Sequence, residues 1–251
     1  MKIFNSELMQ DYGTYTFGYT TYAVREDGDK LADIYNLGFL PYTGTKGINN
    51  MYYMSRSVRI KLDDWQMNSE NRRIYAKFND LKSTLIPITK FDTHDPKFVH
   101  FCLHYFGERF GERVMPESRF RQILDMGVIT DIIEYKKDNE VFGYCFLIQD
   151  DQMSHYIYSF YNLEHFSNSL GLWLMTDCIK YAKDDGKKYH YLGTAYGDKG
   201  LYKTNFDQLE FWNGERWVDS RDQLRDRCRS DAGRQVHLVD EWKQRQAERF
   251  Q

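Results

Sequence analysis

Four segments decide the fold of this 251-residue chain: Ser159-Phe160-Tyr161-Asn162, Ser169-Leu170-Gly171-Leu172-Trp173-Leu174, Tyr191-Leu192-Gly193-Thr194 and Leu201-Tyr202-Lys203-Thr204-Asn205-Phe206. The first and third are rich in residues that suit a pleated surface and read as strand ends. Between them, Leu170, Trp173, Leu174, Asp177, Cys178 and Tyr181 recur at i, i+3, i+4 spacing. That periodicity predicts a helix over residues 169–185, closed by Gly186. A strand–helix–strand crossover of this kind makes its two strands parallel. Where such strands splay, their ends bound a cleft, and a helix N-terminus beside it favours an anionic ligand. Ser and Asn at the helix start are equally what ordinary N-capping needs, so the start alone does not separate the two roles.

Working outward, strands are predicted at residues 128–135, 141–148 and 155–162. The turn formers Lys137-Asp138-Asn139 and Gln149-Asp150-Asp151-Gln152 join them into an antiparallel meander. Upstream, Asp95-Pro96 starts a helix carrying Phe98, Phe101, Cys102, Tyr105 and Phe106 on one face. Pro116 starts another, carrying Phe120, Ile123, Leu124 and Met126, and Gly127 ends it. Nearer the N-terminus, residues 12–24 are aromatic and β-prone, 30–37 form a short helix stopped by Gly38, 51–60 a strand, and 63–78 a helix or loop–helix. The expected organisation is an N-terminal β-rich module (1–80), an α/β domain (81–213) and a charged helical tail (214–251). From residue 221 to the end there are eight basic and six acidic residues. Leu224, Cys228, Val236, Val239 and Trp242 are scattered apolar anchors there, which predicts a solvated helix packed by one edge.

A composition of 41% hydrophobic and 28% charged residues belongs to a folded globular chain rather than a disordered one. The net charge of −3 provides no global basic field, so any nucleic-acid contact must come from a local patch. Two short basic runs could supply it: Arg56, Arg59 and Lys61, then Arg72, Arg73 and Lys77, with no acid inside either run. In a strand Arg59 and Lys61 share a face, and on a helix Arg73 and Lys77 stack; a solvated face is the other reading of both. The four cysteines lie far apart, without a Cys-x-x-Cys pair, so neither a metal site nor a disulfide framework is expected. Residues 1–15 carry Glu7 and Asp11 where a signal peptide would be apolar, and no apolar run is long enough to span a bilayer. A cytoplasmic location, away from membranes, is the expectation. His155 and His190 fall in predicted strands and read as core residues. Lys203, after the Gly-rich loop Tyr196-Gly197-Asp198-Lys199-Gly200, is the best functional candidate among the polar residues, because glycine lets backbone approach a ligand.

The order of helices, meander, helix and strand resembles the acyltransferase fold of acetyl-CoA-dependent (GNAT) N-acetyltransferases. The Arg/Gln-x-x-Gly-x-Gly/Ala turn of those enzymes is missing, since Ser167 to Leu172 holds one glycine. Patch by patch, the chain resembles the aminoacyl-tRNA–protein transferases of the arginyl and leucyl type. Their "F-Y-D/N … S-L-G" followed by "Y-L-G … Y-K-x-x-F/Y" is matched by Phe160-Tyr161-Asn162, Ser169-Leu170-Gly171, Tyr191-Leu192-Gly193 and Tyr202-Lys203 with Phe206. Leu37-Gly38-Phe39, residues 56–60 and Asn71-Arg72-Arg73-Ile74 extend the likeness, which spans most of residues 35–213.

The resemblance implies an α/β (α+β), GNAT-like domain moving an amino acid, Arg or Leu, from charged tRNA to a protein's N-terminal α-amine. Aminoacyl-tRNA is then the co-substrate, with no cofactor and no metal. Tyr161 and Tyr202 would hydrogen-bond near the reacting centre, and Lys203 would pair with an acidic acceptor side chain or the terminal phosphate. Ser169, Leu170 and Gly171, with Gly193 and Asn205, would seat the donor's 3′ end. Arg56, Arg59, Lys61, Arg72, Arg73 and Lys77 would meet the tRNA. One departure stands out: the Cys-rich N-terminal element of many such transferases is absent, and residues 12–22 carry Tyr and Thr instead. A CoA-dependent N-acetyltransferase and a non-catalytic RNA-binding adaptor of the same fold are the alternatives.

Overall fold

A computed structural model describes residues 1–13, 16–44, 48–111 and 113–231. The predicted tail anchors Val236, Val239 and Trp242 lie outside the described residues. The elements run β1 (Lys2–Asp11), β2 (Thr16–Val24), α1 (Leu31–Asn36), β3 (Phe39–Pro41), β4 (Met51–Met54), β5 (Ser57–Lys61), α2 (Ser69–Tyr75) and β6 (Lys82–Pro87). They continue with α3 (Pro96–Phe110), α4 (Glu117–Asp125), β7 (Asp131–Lys137), β8 (Glu140–Gln149), β9 (Met153–Tyr161), α5 (Leu170–Asp184) and β10 (Tyr189–Thr194). A 3-10 turn (Asp198–Asn205), β11 (Leu209–Trp212), β12 (Trp217–Val218) and α6 (Arg221–Ser230) complete the order.

The strands form a four-stranded sheet, β1-β2-β4-β3, and an eight-stranded sheet, β12-β11-β5-β10-β9-β8-β7-β6. The predicted meander is present as β7, β8 and β9, and the predicted helix 169–185 is α5. β8 is buried almost throughout because helices cover both faces of the large sheet. Its alternate side chains divide accordingly. Tyr144 and Phe146 meet Phe98 of α3 at ring separations of 5.0 and 5.9 Å. On the other face, the Tyr135 hydroxyl of β7 lies 3.4 Å from the Cys178 sulfur of α5. α2 packs onto α5 by stacking Tyr75 on Trp173.

Three segments differ from the sequence expectation. Residues 51–60 are two strands in two sheets, not one: β4 pairs with β2 and β3, whereas β5 lies between β10 and β11. The chain changes sheets at Ser55, whose N–H donates to the Gly38 carbonyl at 3.3 Å; the Ser57 hydroxyl donates to the same carbonyl at 2.9 Å. Gly38 has φ +79°, and a β-carbon there would stand 2.4 Å from the Trp212 ring. It therefore joins the two sheets besides ending α1. β1 precedes the predicted β-prone segment as the first arm of a hairpin, and β6 was not expected. β6 is a polar sheet edge ending in Pro87, which hides the alternation that marks a buried strand.

Candidate active site

Two bulges open the large sheet. β10 runs parallel to β9 only from Tyr189 to Tyr191, opposite Met153 to His155. Beyond that, Leu192 is skipped in the pairing of β10 with β5, and Ile157 in the pairing of β9 with β8. Extra residues bend both strands, and Gly193 supplies the positive φ (+78°) that the β10 bend requires. A cleft of about 320 Å³ follows the splay. Its walls are residues 155–159 of β9 and 192–194 of β10; Tyr105, Phe106 and Phe110 of α3; Leu40, Pro41, Thr43 and Tyr53 from the small sheet; and Tyr202 and Lys203 from the 3-10 turn.

Lys203 is the charge at the bottom of this cleft. It is 8% exposed, its Nζ donates to the Thr194 carbonyl (2.5 Å), and burial lowers its pKa to about 8. His155 enters from β9 with Nδ1 2.9 Å from the hydroxyl of Tyr35, a fully buried residue of α1. Burial foremost, then the charges of His190 and Lys203, holds His155 neutral down to about pH 3. Tyr202 is 46% exposed, yet lost hydration and the neighbouring Tyr161 push its hydroxyl up to about 12, against the opposing pull of Arg109. Arg109 itself is exposed on the last turn of α3. The fold thus gathers a buried amine, a neutral imidazole and tyrosine hydroxyls around one apolar-walled slot, a setting for proton transfer and oxyanion binding.

Of the expected site residues, Gly193, Tyr202 and Lys203 meet in the cleft. Tyr161 stands behind it, its ring 4.8 Å from that of Tyr105 and packed against Gly171. Ser169 is not a conventional cap: it adopts a left-handed conformation (φ 68°), and its hydroxyl caps no helix N–H among the described residues. Leu170 is fully buried. The Asn205 carbonyl accepts from the Asn68 side chain at 2.7 Å, which ties the Lys203 turn to the start of α2.

The basic runs divide. Arg56 forms a two-pronged pair with Asp231 at 2.8 and 3.1 Å. Arg59 is buried, bonded to Glu210 at 2.8 Å, and lies between the Tyr189 and Trp217 rings at 3.8 and 3.9 Å. Lys61 faces Glu210 and Asp219. Each of the three has an acidic partner, so its charge is opposed within the fold. Arg72, Arg73 and Lys77 are exposed on and just after α2. Sequence reasoning passed over His155, Tyr105 and Arg109; the placement of His155 between Tyr35 and Lys203 depends on contacts remote in sequence. Among the described residues, no three His, Cys, Asp or Glu side chains cluster as a metal site requires, and no helix is long and apolar enough to cross a membrane.

A mixed α/β domain with an apolar-walled cleft between splayed parallel strands, holding a buried amine, is the architecture expected of an acyl-transfer enzyme. The profile of the arginine-tRNA-protein transferase C terminus matches residues 70–213, and the chain belongs to that family. It is 30% identical over 172 residues to an aspartate/glutamate leucyltransferase of Acinetobacter baumannii, covering 64% of this chain and 60% of the relative. A protein of the same name from Parvibaculum lavamentivorans is 31% identical over 169 residues, covering 64% and 68%. The chain therefore spans about three fifths of the length of the A. baumannii relative. Among solved structures, FemX superposes with a TM-score of 0.45 at 14% identity, covering 76% of this chain and 66% of FemX. The C-terminal domain of a putative lysylphosphatidylglycerol synthetase from Agrobacterium fabrum gives 0.44 at 10%, covering 70% and 55%.

Proposed function

We propose that this protein transfers an aminoacyl group from a charged tRNA to the α-amine of a protein N-terminus. The observation that carries the reading is Lys203, an amine buried at the splay of β9 and β10 with a pKa near that of an α-amine. The aminoacyl ester is already activated, so the protein must hold amine and carbonyl in line, stabilise the oxyanion and manage one proton. Neutral Lys203 takes that proton as the new N–C bond forms and returns it to the ribose oxygen as the ester C–O bond breaks.

The relatives' names point to leucine as the transferred residue and to Asp or Glu as the acceptor's first residue. Arg109, exposed beside Tyr105 and Tyr202, is better placed than the buried Lys203 to meet an acidic acceptor side chain. Asn68 and Asn205 tie α2 to the Lys203 turn, so its exposed Arg72, Arg73 and Lys77 are suited to acceptor-stem phosphates. The test incubates the protein with a full set of charged tRNAs and peptides varied at residue one, read by mass spectrometry. A gain of one amino-acid residue on specific peptides is expected. An acetyl adduct formed only with acetyl-CoA, and no aminoacyl product, would overturn the reading in favour of an N-acetyltransferase.

A further inference from the structure

Two nitrogens, one from β9 and one from the 3-10 turn that follows β10, converge on one empty point. A β-carbon built on Gly193 would stand 3.7 Å from the His155 Nε2 and 3.7 Å from the Lys203 Nζ. Glycine leaves that place vacant, within a cleft that both residues line. An atom of substrate lying over Gly193 is therefore within reach of a histidine on one side and an amine on the other.

What His155 offers there depends on which nitrogen carries its proton. The other nitrogen, Nδ1, is 2.9 Å from the Tyr35 hydroxyl, and both residues are buried. A buried phenol must place its own proton on an acceptor, and an unprotonated ring nitrogen is one. If Tyr35 donates to Nδ1, the ring proton resides on Nε2 and points into the cleft. Burial keeps the ring neutral, so the tautomer persists through the physiological range.

We infer that His155 is a catalytic hydrogen-bond donor: its Nε2–H binds the ester carbonyl oxygen over Gly193, and Tyr35 is the positioning residue that fixes the tautomer. The inference rests on the aminoacyl-transfer reading above. In the step, the acceptor amine adds to the carbonyl carbon and the carbonyl electron pair moves onto the oxygen held by Nε2–H. Lys203 removes one amine proton. The tetrahedral species then collapses, the C–O bond to the ribose breaks, and the proton passes from Lys203 to the leaving oxygen. No oxidant, reductant or further reactant enters. Tyr35 belongs to α1, so the N-terminal elements complete the active site rather than merely adjoining it.

Two measurements test this. Nitrogen-15 NMR of the wild-type chain reports the tautomer directly: a protonated Nε2 between pH 5 and 8 is expected, and a protonated Nδ1 overturns the assignment. In single-turnover transfer, His155→Leu should lose about 100-fold or more in rate, as loss of one oxyanion donor does, with aminoacyl-tRNA affinity little changed. His155→Gln, which keeps a donor, should recover part of the loss. Should His155→Leu fail to fold, Tyr35→Phe takes its place; a shift of its tautomer toward Nδ1–H together with a slower transfer is expected. A folded His155→Leu protein, or a Tyr35→Phe protein, with wild-type rate removes the residue's role and leaves the transferase standing. A wild type inactive with every charged tRNA instead removes the transferase reading and this role with it.

Discussion

The ring of Tyr161 occupies the place where a side chain at Gly171 would begin: a β-carbon on Gly171 would stand 2.8 Å from both the Cζ and the hydroxyl of Tyr161. The first turn of α5 is therefore closed down onto the end of β9, and Tyr161 is held against Tyr105, a wall of the cleft. Gly171→Ala must push the ring aside, at a cost of about 1–3 kcal/mol for overpacking. We expect a lower melting temperature and slower transfer. Tyr161→Ala introduced on top should cost much less than it does alone, because removing the ring also removes the clash. Strictly additive melting shifts would show that the two residues do not share this space.

Acid should destabilise the protein through two buried histidines. His190 is fully buried, both of its ring nitrogens are without a partner among the described residues, and burial lowers its pKa to about 3. His155 is lowered to about 3 as well. Between about pH 6.5 and 3 the unfolded histidines bind a proton and the native ones do not, so native stability falls as pH falls through that window. Each contributes about 1.4 kcal/mol per pH unit, or about 2 kcal/mol on going from pH 7 to 5. Calorimetric melts of His190→Met should show a shallower pH dependence over this range than the parent. Parallel curves would mean that His190 is solvated or paired in solution.

Lys203 should carry a stability cost for its function. Its folded pKa of about 8 lies below the ordinary 10.5, so the native state resists its charged form. The unfolded chain binds the extra proton between those values, and this group's contribution to stability rises with pH across them. At pH 7 the lysine is mostly charged in both states, the neutral minority of the native protein being the base, and the charge costs about 3 kcal/mol in the native state. Its hydrogen bond to the Thr194 carbonyl is worth about 1 kcal/mol. Lys203→Met removes both, so the variant should be more stable by about 2 kcal/mol at pH 7 while losing transfer activity. A lower melting temperature would show that the ammonium is better solvated than its burial indicates.

The periodic and local parts of this fold are legible in the sequence. The meander, α3, α4 and α5 each carry their own pattern and turn chemistry, and Phe160-Tyr161, Tyr191-Leu192-Gly193 and Tyr202-Lys203 place the cleft between β9 and β10. What the sequence conceals comes from long-range pairing. The change of sheet at Ser55 depends on Gly38 and Trp212, and no pattern within residues 51–60 announces it. Arg59 looks like any exposed basic strand residue until Glu210, Tyr189 and Trp217 close around it. His155 reads as core because it is core, and the role proposed for it depends on Tyr35, 120 residues away.

The same division separates two kinds of arginine in a binding experiment. Phosphate contacts release counterions, so each one removed should lower the slope of log affinity against log salt by about 0.7–0.9. Arg73, exposed on α2, is the proposed phosphate contact: Arg73→Ala should weaken tRNA binding at low salt, flatten the salt dependence and leave the melting temperature nearly unchanged. Arg59, buried against Glu210, is of the structural kind. Arg59→Met leaves the Glu210 carboxylate with only the more distant Lys61 at 3.8 Å and should cost up to about 3–5 kcal/mol in stability, as breaking a buried ion pair does, with the salt slope of the folded fraction unaltered. Fluorescence anisotropy with labelled tRNA from 50 to 200 mM salt, alongside thermal melts, distinguishes the two. Should Arg59→Met flatten the slope and Arg73→Ala leave it intact, the RNA would have to approach across β5 and not across α2.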